Sequence, residues 1–91
     1  MSDEPFRIQL TATAQRCLHR LTDKIVGACI EFIAGPLAAD PHRIGKPLQR
    51  ELAGHHSARR GAYRVVYRID DDARSVVVVR VDHRRGVYRS P

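Results

Sequence analysis

Phe6-Arg7-Ile8-Gln9-Leu10 alternates apolar and polar side chains over five residues, the period of a strand with one buried face. The period then lengthens. Ala14, Cys17, Leu18 and Leu21 recur at helical spacing, and Thr11 or Thr13 can cap a short helix running through Leu21. Asp23 is placed to cap a second helix whose apolar stripe is Ile25, Val26, Cys29, Ile30 and Ile33. The two helices make a helical hairpin. Gly35-Pro36 should kink or interrupt the second helix, because proline lacks the backbone N–H and crowds the preceding turn. Leu37-Ala38-Ala39 adds one turn before Asp40-Pro41 stops it.

Residues 40–56 contain Pro41, Gly45, Pro47 and Gly54 and read as a long basic connection. Leu48 and Leu52 are expected to anchor it to the core, with one helical turn between them. Residues 57–60 form a short strand that leads through Gly61 into a β-hairpin. In its first strand, Tyr63, Val65, Tyr67 and Ile69 share one face and Arg64, Val66 and Arg68 the other. The aromatic and aliphatic set should pack on the helices. Val76–Asp82 is apolar on both faces apart from Arg80, as expected of a strand central in the sheet. A final short strand includes Val87 and Tyr88. The sum is one α+β domain over residues 1–91, with an N-terminal strand and a helical hairpin packed on one face of a small, mostly antiparallel sheet. The opposite face is left for function.

Charge divides unevenly along this frame. Residues 1–41 carry four Lys/Arg against five Asp/Glu, and residues 42–91 carry twelve against five, so attraction to a polyanion would come from the second half. Arginines at even numbers, Arg64, Arg68, Arg80 and Arg84, fall on one sheet face if the period of two holds. Fourteen of the 16 cations are arginine, which suits planar, bidentate recognition of phosphate; GC-rich coding would give the same preference. Cys17 and Cys29 have no metal-ligand spacing and read as small apolar residues of a reducing cytosol. No apolar run reaches transmembrane length, and the acidic start has no signal-peptide pattern. A cytoplasmic protein without a membrane partner is expected.

The chemistry-bearing residues are few. Asp70-Asp71-Asp72 sits at a hairpin turn without companion ligands and reads as a solvated turn rather than a metal site. His83-Arg84-Arg85 with Tyr88 offers a titratable imidazole, cations for a phosphate, and a phenol that can stack or move a proton. The same residues would also serve as an exposed basic tail. His55-His56-Ser57 and Arg59-Arg60 precede the hairpin and can line the same cleft as Arg64 and Arg84. Lys46 and Arg50 read as peripheral contacts to a polyanion, and Arg68 and Arg80 as cross-strand partners of nearby aspartates.

Gly45-Lys46-Pro47-Leu48, Glu51-Leu52-Ala53-Gly54, Ser57 to Asp70, and Val81 to Arg89 resemble, in that order, the RelE branch of the RelE/ParE toxin superfamily, and most of all actinobacterial RelE-like toxins. Arg-x-Gly-x-Tyr-Arg-Val-Val-Tyr and His-Arg-Arg-x-Val-Tyr carry the resemblance. It implies a microbial-RNase-like fold and the toxin of a type II toxin–antitoxin pair. Such a toxin enters the ribosomal A site and cleaves mRNA without metal or cofactor, through attack of a 2′-hydroxyl on the adjacent phosphate.

The resemblance further implies catalytic roles for Arg64, Arg84, Tyr88 and His83, and RNA or phosphate contacts from Arg59, Arg60, Lys46, Arg50 and Arg85. His56 is an alternative acid or base. Some relatives place two lysines before the equivalent of Arg64, where this chain has histidines, Ser57 and arginines. Implied partners are a cognate antitoxin, the ribosome with its mRNA, and operator DNA through the antitoxin complex alone. A ParE-like gyrase inhibitor and a non-catalytic RNA-binding domain are the competing readings of the same pattern.

Overall fold

Thr11 both ends the first strand and begins the first helix. The computed structural model describes residues 4–83. In it β1 (Arg7–Leu10) lies parallel to β5 (Ser75–His83), with Ile8 opposite Val76 and Leu10 opposite Val78. The Thr11 hydroxyl accepts from the Ala14 N–H at 3.1 Å and donates to the Val79 carbonyl at 3.1 Å. One side chain therefore caps α1 (Ala12–His19) and ties it to β5. Ala14, Leu18 and Leu21 are buried as the helical spacing predicts.

The second helix, α2 (Asp23–Phe32), starts one residue earlier in role than expected. Thr22 is the flanking residue and makes no side-chain cap, while Asp23 occupies the first helical position, where its carboxylate favours the positive end of the helix. Cys29 and Ile33 are buried, but Ile30 is 42% exposed and Phe32 takes its place in the core. Burial pushes the Cys29 thiol up to about 11, so it stays protonated and packs as a small hydrophobe. At Gly35-Pro36 the helix widens instead of breaking. Ile33–Leu37 form a π-helical turn with Pro36 inside it, which accommodates the missing N–H. The helical path reaches Ala39. It stops at Asp40-Pro41 as expected, and Pro41 opens the short α3 (Pro41–Ile44), since its fixed φ and absent donor suit the first helical position.

The connection after α3 contains a two-residue strand, β2 (Lys46–Pro47), and a 3-10 turn over Arg50–Leu52. β2 pairs with β3 (His56–Arg60), β3 with β4 (Tyr63–Asp70), and β4 with β5. The sheet order is β1-β5-β4-β3-β2, antiparallel except at β1. β5 is interior, and β4 is the middle strand.

Val65, Tyr67, Val76, Val78 and Val81 join the helical residues in one core on the inner face. Tyr67 is fully buried, and its hydroxyl donates to the Pro41 carbonyl at 2.6 Å. Gly45 lies so close that an added methyl would meet the Tyr67 hydroxyl and, at 2.9 Å, the Ser57 carbonyl. Gly45→Ala should therefore cost about 1–3 kcal/mol of stability through overpacking, read as a lower urea midpoint.

Gly61 and Ala62 connect β3 to β4. Gly61 has φ +62, the position where a type II′ hairpin takes glycine. The β4–β5 pair is less regular. Its register shifts between Val66 and Tyr67: Tyr67 faces Val78, but Val66 faces Arg80. The extra residue, Val79, is a bulge that reverses the facing of everything after it. Val76 and Val78 point inward before the bulge; Val81 and His83 do so after it.

Leu48 and Leu52 do not anchor to the inner core. They lie with Val66 and Val79 on the outer face, and Leu52 remains 49% exposed. Their loop covers part of the sheet that would otherwise be open, which leaves Val66 only 5% exposed.

Candidate functional site

The two-residue turn places Arg59 directly opposite Arg64, and the bulge places Asp82 directly opposite Arg64 on the other side. Arg59, Arg64 and Asp82 consequently form a row across three strands of the outer face. Without the bulge, the register at Asp70–Ser75 would set Arg64 against Val81 and turn Asp82 toward the core. The irregularity builds the site.

Asp82 joins two cations. Arg80 Nε lies 3.0 Å from both of its carboxylate oxygens, and Arg64 Nη2 lies 3.4 Å from Oδ2. Arg64 and Asp82 are partly exposed, so this pair contributes only about 0–1 kcal/mol. Its consequence is positional: the carboxylate holds Arg64 and Arg80 on one side of the sheet. Arg59 and Arg64 set like charges directly opposite each other across β3 and β4. A bound phosphate would remove that repulsion.

Arg59, Gly61, Ala62, Tyr63, Arg64, Asp82 and His83 line a cavity of about 280 Å³ at this end of the sheet. His83 faces inward opposite Tyr63 and is 8% exposed, so it meets the cavity from the sheet end rather than from the Arg64 face. Arg60 is not brought to Arg64. It shares the inner face with Tyr63, and its guanidinium lies 5.6 Å from the centre of the Phe32 ring.

His56 also lies on the inner face, stacked on Tyr67 at 5.6 Å between ring centres and edge-on to His42 at 6.1 Å. Lys46, opposite Ser57, is exposed at the sheet edge, one row from the arginine pair. Arg50 is exposed in the 3-10 turn with φ +61, outside both the cavity and its lining. Arg84, Arg85 and Tyr88 lie outside the described residues, as does the expected final strand.

Asp71 at the β4–β5 turn receives His42 Nε2 at 2.7 Å, and Asp70 accepts from the Ala73 N–H, as expected of turn aspartates. Among the described residues no three His, Cys, Asp or Glu side chains gather as a metal site, and no helix is long and apolar enough to cross a membrane.

His56 gives the fold a pH dependence. Burial first, then the neighbouring His42 charge, lowers its pKa from the ordinary 6.5, with Asp71 opposing and His55 adding to the decrease. The unfolded chain therefore binds this proton more readily than the folded one. Its contribution is complete above about pH 6.5 and is lost as pH falls toward the lower folded value. Replacing His56 with Phe should flatten the loss of stability between about pH 7.5 and about pH 5.5, measured by urea unfolding.

Residues 8–88 match the family described as ParE toxin of the type II toxin–antitoxin system, parDE. Toxin RelG of Mycobacterium tuberculosis is 54% identical over 93% of this chain and 98% of its own length. Toxin RelE of the same organism is 53% identical over 96% of this chain and 90% of its own length. The fold also matches a chain in the crystal structure of the M. tuberculosis toxin–antitoxin complex RelBE2, with a TM-score of 0.87 and 53% identity over 91% of this chain and 98% of that one. This likeness over nearly the whole length places the chain in the RelE branch of the RelE/ParE family of type II toxins.

Proposed function

We propose that this toxin is a ribosome-dependent endoribonuclease that cleaves mRNA in the A site. The observation that carries the reading is Arg59 beside Arg64 at an open cavity, with Asp82 fixing Arg64 from the opposite side. Two guanidiniums suit a phosphate that gains negative charge during reaction.

In the proposed step, a ribose 2′-oxygen bonds to the adjacent phosphorus, and the bond from phosphorus to the 5′-oxygen breaks. The products are a 2′,3′-cyclic phosphate and a 5′-hydroxyl. Arg64 and Arg59 donate to the non-bridging oxygens, and Arg84 is assigned to the same developing charge. A proton leaves the 2′-hydroxyl and another reaches the departing 5′-oxygen. Arginine remains protonated and is unsuited to the first transfer. We assign proton handling to His83 and Tyr88, with Tyr88 also stacking on the substrate. His56 is less suited because it stacks on Tyr67 and does not line the cavity, which His83 reaches from the sheet end.

The M. tuberculosis relative is seen in a toxin–antitoxin complex, and an acidic cognate antitoxin is the corresponding partner proposed for this cytoplasmic toxin. Operator DNA would be reached through that complex. The name of the matching family favours one second reading, gyrase inhibition of the ParE kind. Purified toxin added to ribosomes carrying mRNA, and in parallel to a gyrase supercoiling reaction, separates them. Cleaved mRNA with unaffected supercoiling supports the proposal; intact mRNA with inhibited supercoiling refutes it.

A further inference from the structure

Arg64 is a wall of two cavities. Beyond the one at the sheet end, a second of about 190 Å³ lies between the outer face and the 48–55 loop, lined by Leu48, Leu52, Val66, Val79, His55 and Arg80 together with Arg64. We propose that this second cavity is a nucleobase pocket, receiving one base of the RNA whose phosphate Arg64 holds. The inference rests on the ribonuclease reading above.

The pocket is built before any ligand arrives. The Leu48 N–H donates to the His55 carbonyl at 2.8 Å, and the His55 N–H donates to the Leu52 carbonyl at 3.0 Å, closing the loop on itself. Arg50 and Gly54 at positive φ make its sharp bends. The floor is the aliphatic pair Val66 and Val79; Val79 faces outward by the alternation that buries Val76 and Val78, and the bulge keeps Arg80 beside it on the same face. Its volume falls below the roughly 300–1,000 Å³ of ordinary small-molecule sites. It suits one flat ring system, not a dinucleotide.

The walls select the occupant. Unstacked RNA bases are commonly held against histidine rings and guanidinium planes, and His55, Arg64 and Arg80 supply both here. His55 Nδ1 is buried with no hydrogen-bond partner among the described residues. At the cavity wall itself, a hydrocarbon side chain from a protein partner would offer the guanidinium donors of Arg64 and Arg80 no acceptor, whereas the polar edge of a base can meet them. Leu52, half exposed at the mouth, gains an apolar cover when a base enters. Sharing Arg64 puts base and phosphate within the reach of one nucleotide.

Methyl and arginine Nε NMR of the whole toxin tests this with nucleoside 3′-monophosphates, ribose 5-phosphate and inorganic phosphate as probes. The nucleotides should shift the methyls of Leu48, Leu52, Val66 and Val79 as well as Arg59 and Arg64, while the two base-free phosphates shift the arginines and none of the four methyl-bearing residues. Leu52→Trp, filling the mouth from an exposed position, should weaken nucleotide binding by about tenfold and leave inorganic phosphate binding unchanged. Nucleotides that shift Arg64 but none of the four methyl-bearing residues would overturn the base pocket and leave the phosphate site standing. Silence at Arg64 with every probe would overturn the ribonuclease reading and the pocket together. A methyl response to the antitoxin chain of the mycobacterial complex, with none to nucleotides, would make the cavity a protein-docking site and refute the proposal.

Discussion

Arg64→Ala should lower ribosome-dependent mRNA cleavage by about 10²–10³ while changing folding stability by no more than about 1 kcal/mol. The separation follows from placement. Arg64 faces outward from the middle strand, its side chain is 43% exposed, and its carboxylate partner is also held by Arg80. Truncation therefore leaves the inner core intact and Asp82 paired. What it removes is a planar pair of donors beside Arg59, which a transition state with charge on its non-bridging oxygens would use most. Arg64→Lys should recover part of the rate, since it restores the charge without the fork. Combining Arg64→Ala with Arg84→Ala should abolish both cleavage and growth inhibition. Undiminished cleavage by that stably folded double variant would sink the assignment.

The parts of this site were unequally visible in the sequence. Alternation of Tyr, Val and Arg along residues 63–69 is strong enough to face Arg64 away from the core, and it does. A choice between Arg59 and Arg60 as its neighbour was also within reach: a two-residue turn at Gly61-Ala62 fixes the register and makes Arg59 the opposite residue. Asp82 was hidden for a physical reason. The 76–81 stretch is apolar on both faces apart from Arg80, so hydrophobic pattern cannot locate a bulge within it, and only the bulge at Val79 brings Asp82 to Arg64. Leu48 and Leu52 misled in the same manner. Their apolarity signals burial, but not on which side of the sheet. The helices were more legible because period and capping agree, as at Thr11, Ala14 and Leu18.

Tyr67→Ala should remove about 3–5 kcal/mol, a large share of the roughly 5–15 kcal/mol that stabilises a domain. Tyr67→Phe isolates one component of that loss. The ring is fully buried, stacks on His56, and belongs to the inner core, so phenylalanine preserves most of the packing. The hydroxyl, however, is the donor to the Pro41 carbonyl, and its burial raises the tyrosine pKa to about 12, keeping it protonated as that donor. Leaving the carbonyl unsatisfied should cost about 1–3 kcal/mol. For a chain of this size, each kcal/mol lowers the thermal midpoint by about 4–8 °C. Calorimetry of the two variants should therefore give two well-separated decreases, the alanine decrease larger. Equal midpoints for Tyr67→Phe and the parent chain would contradict the proposed clamp between α3 and the sheet.

That clamp supports β4 from the inner side, while the row on its outer side is where chemistry is proposed. The central claim is that Arg59 and Arg64 hold an RNA phosphate during attack by a neighbouring 2′-hydroxyl. Mapping both new ends of mRNA cut on ribosomes by the purified toxin tests it most directly. Breaks confined to the A-site codon are expected, with a 2′,3′-cyclic phosphate on one side and a 5′-hydroxyl on the other. Intact mRNA, or breaks that carry a 3′-hydroxyl and a 5′-phosphate, would contradict it.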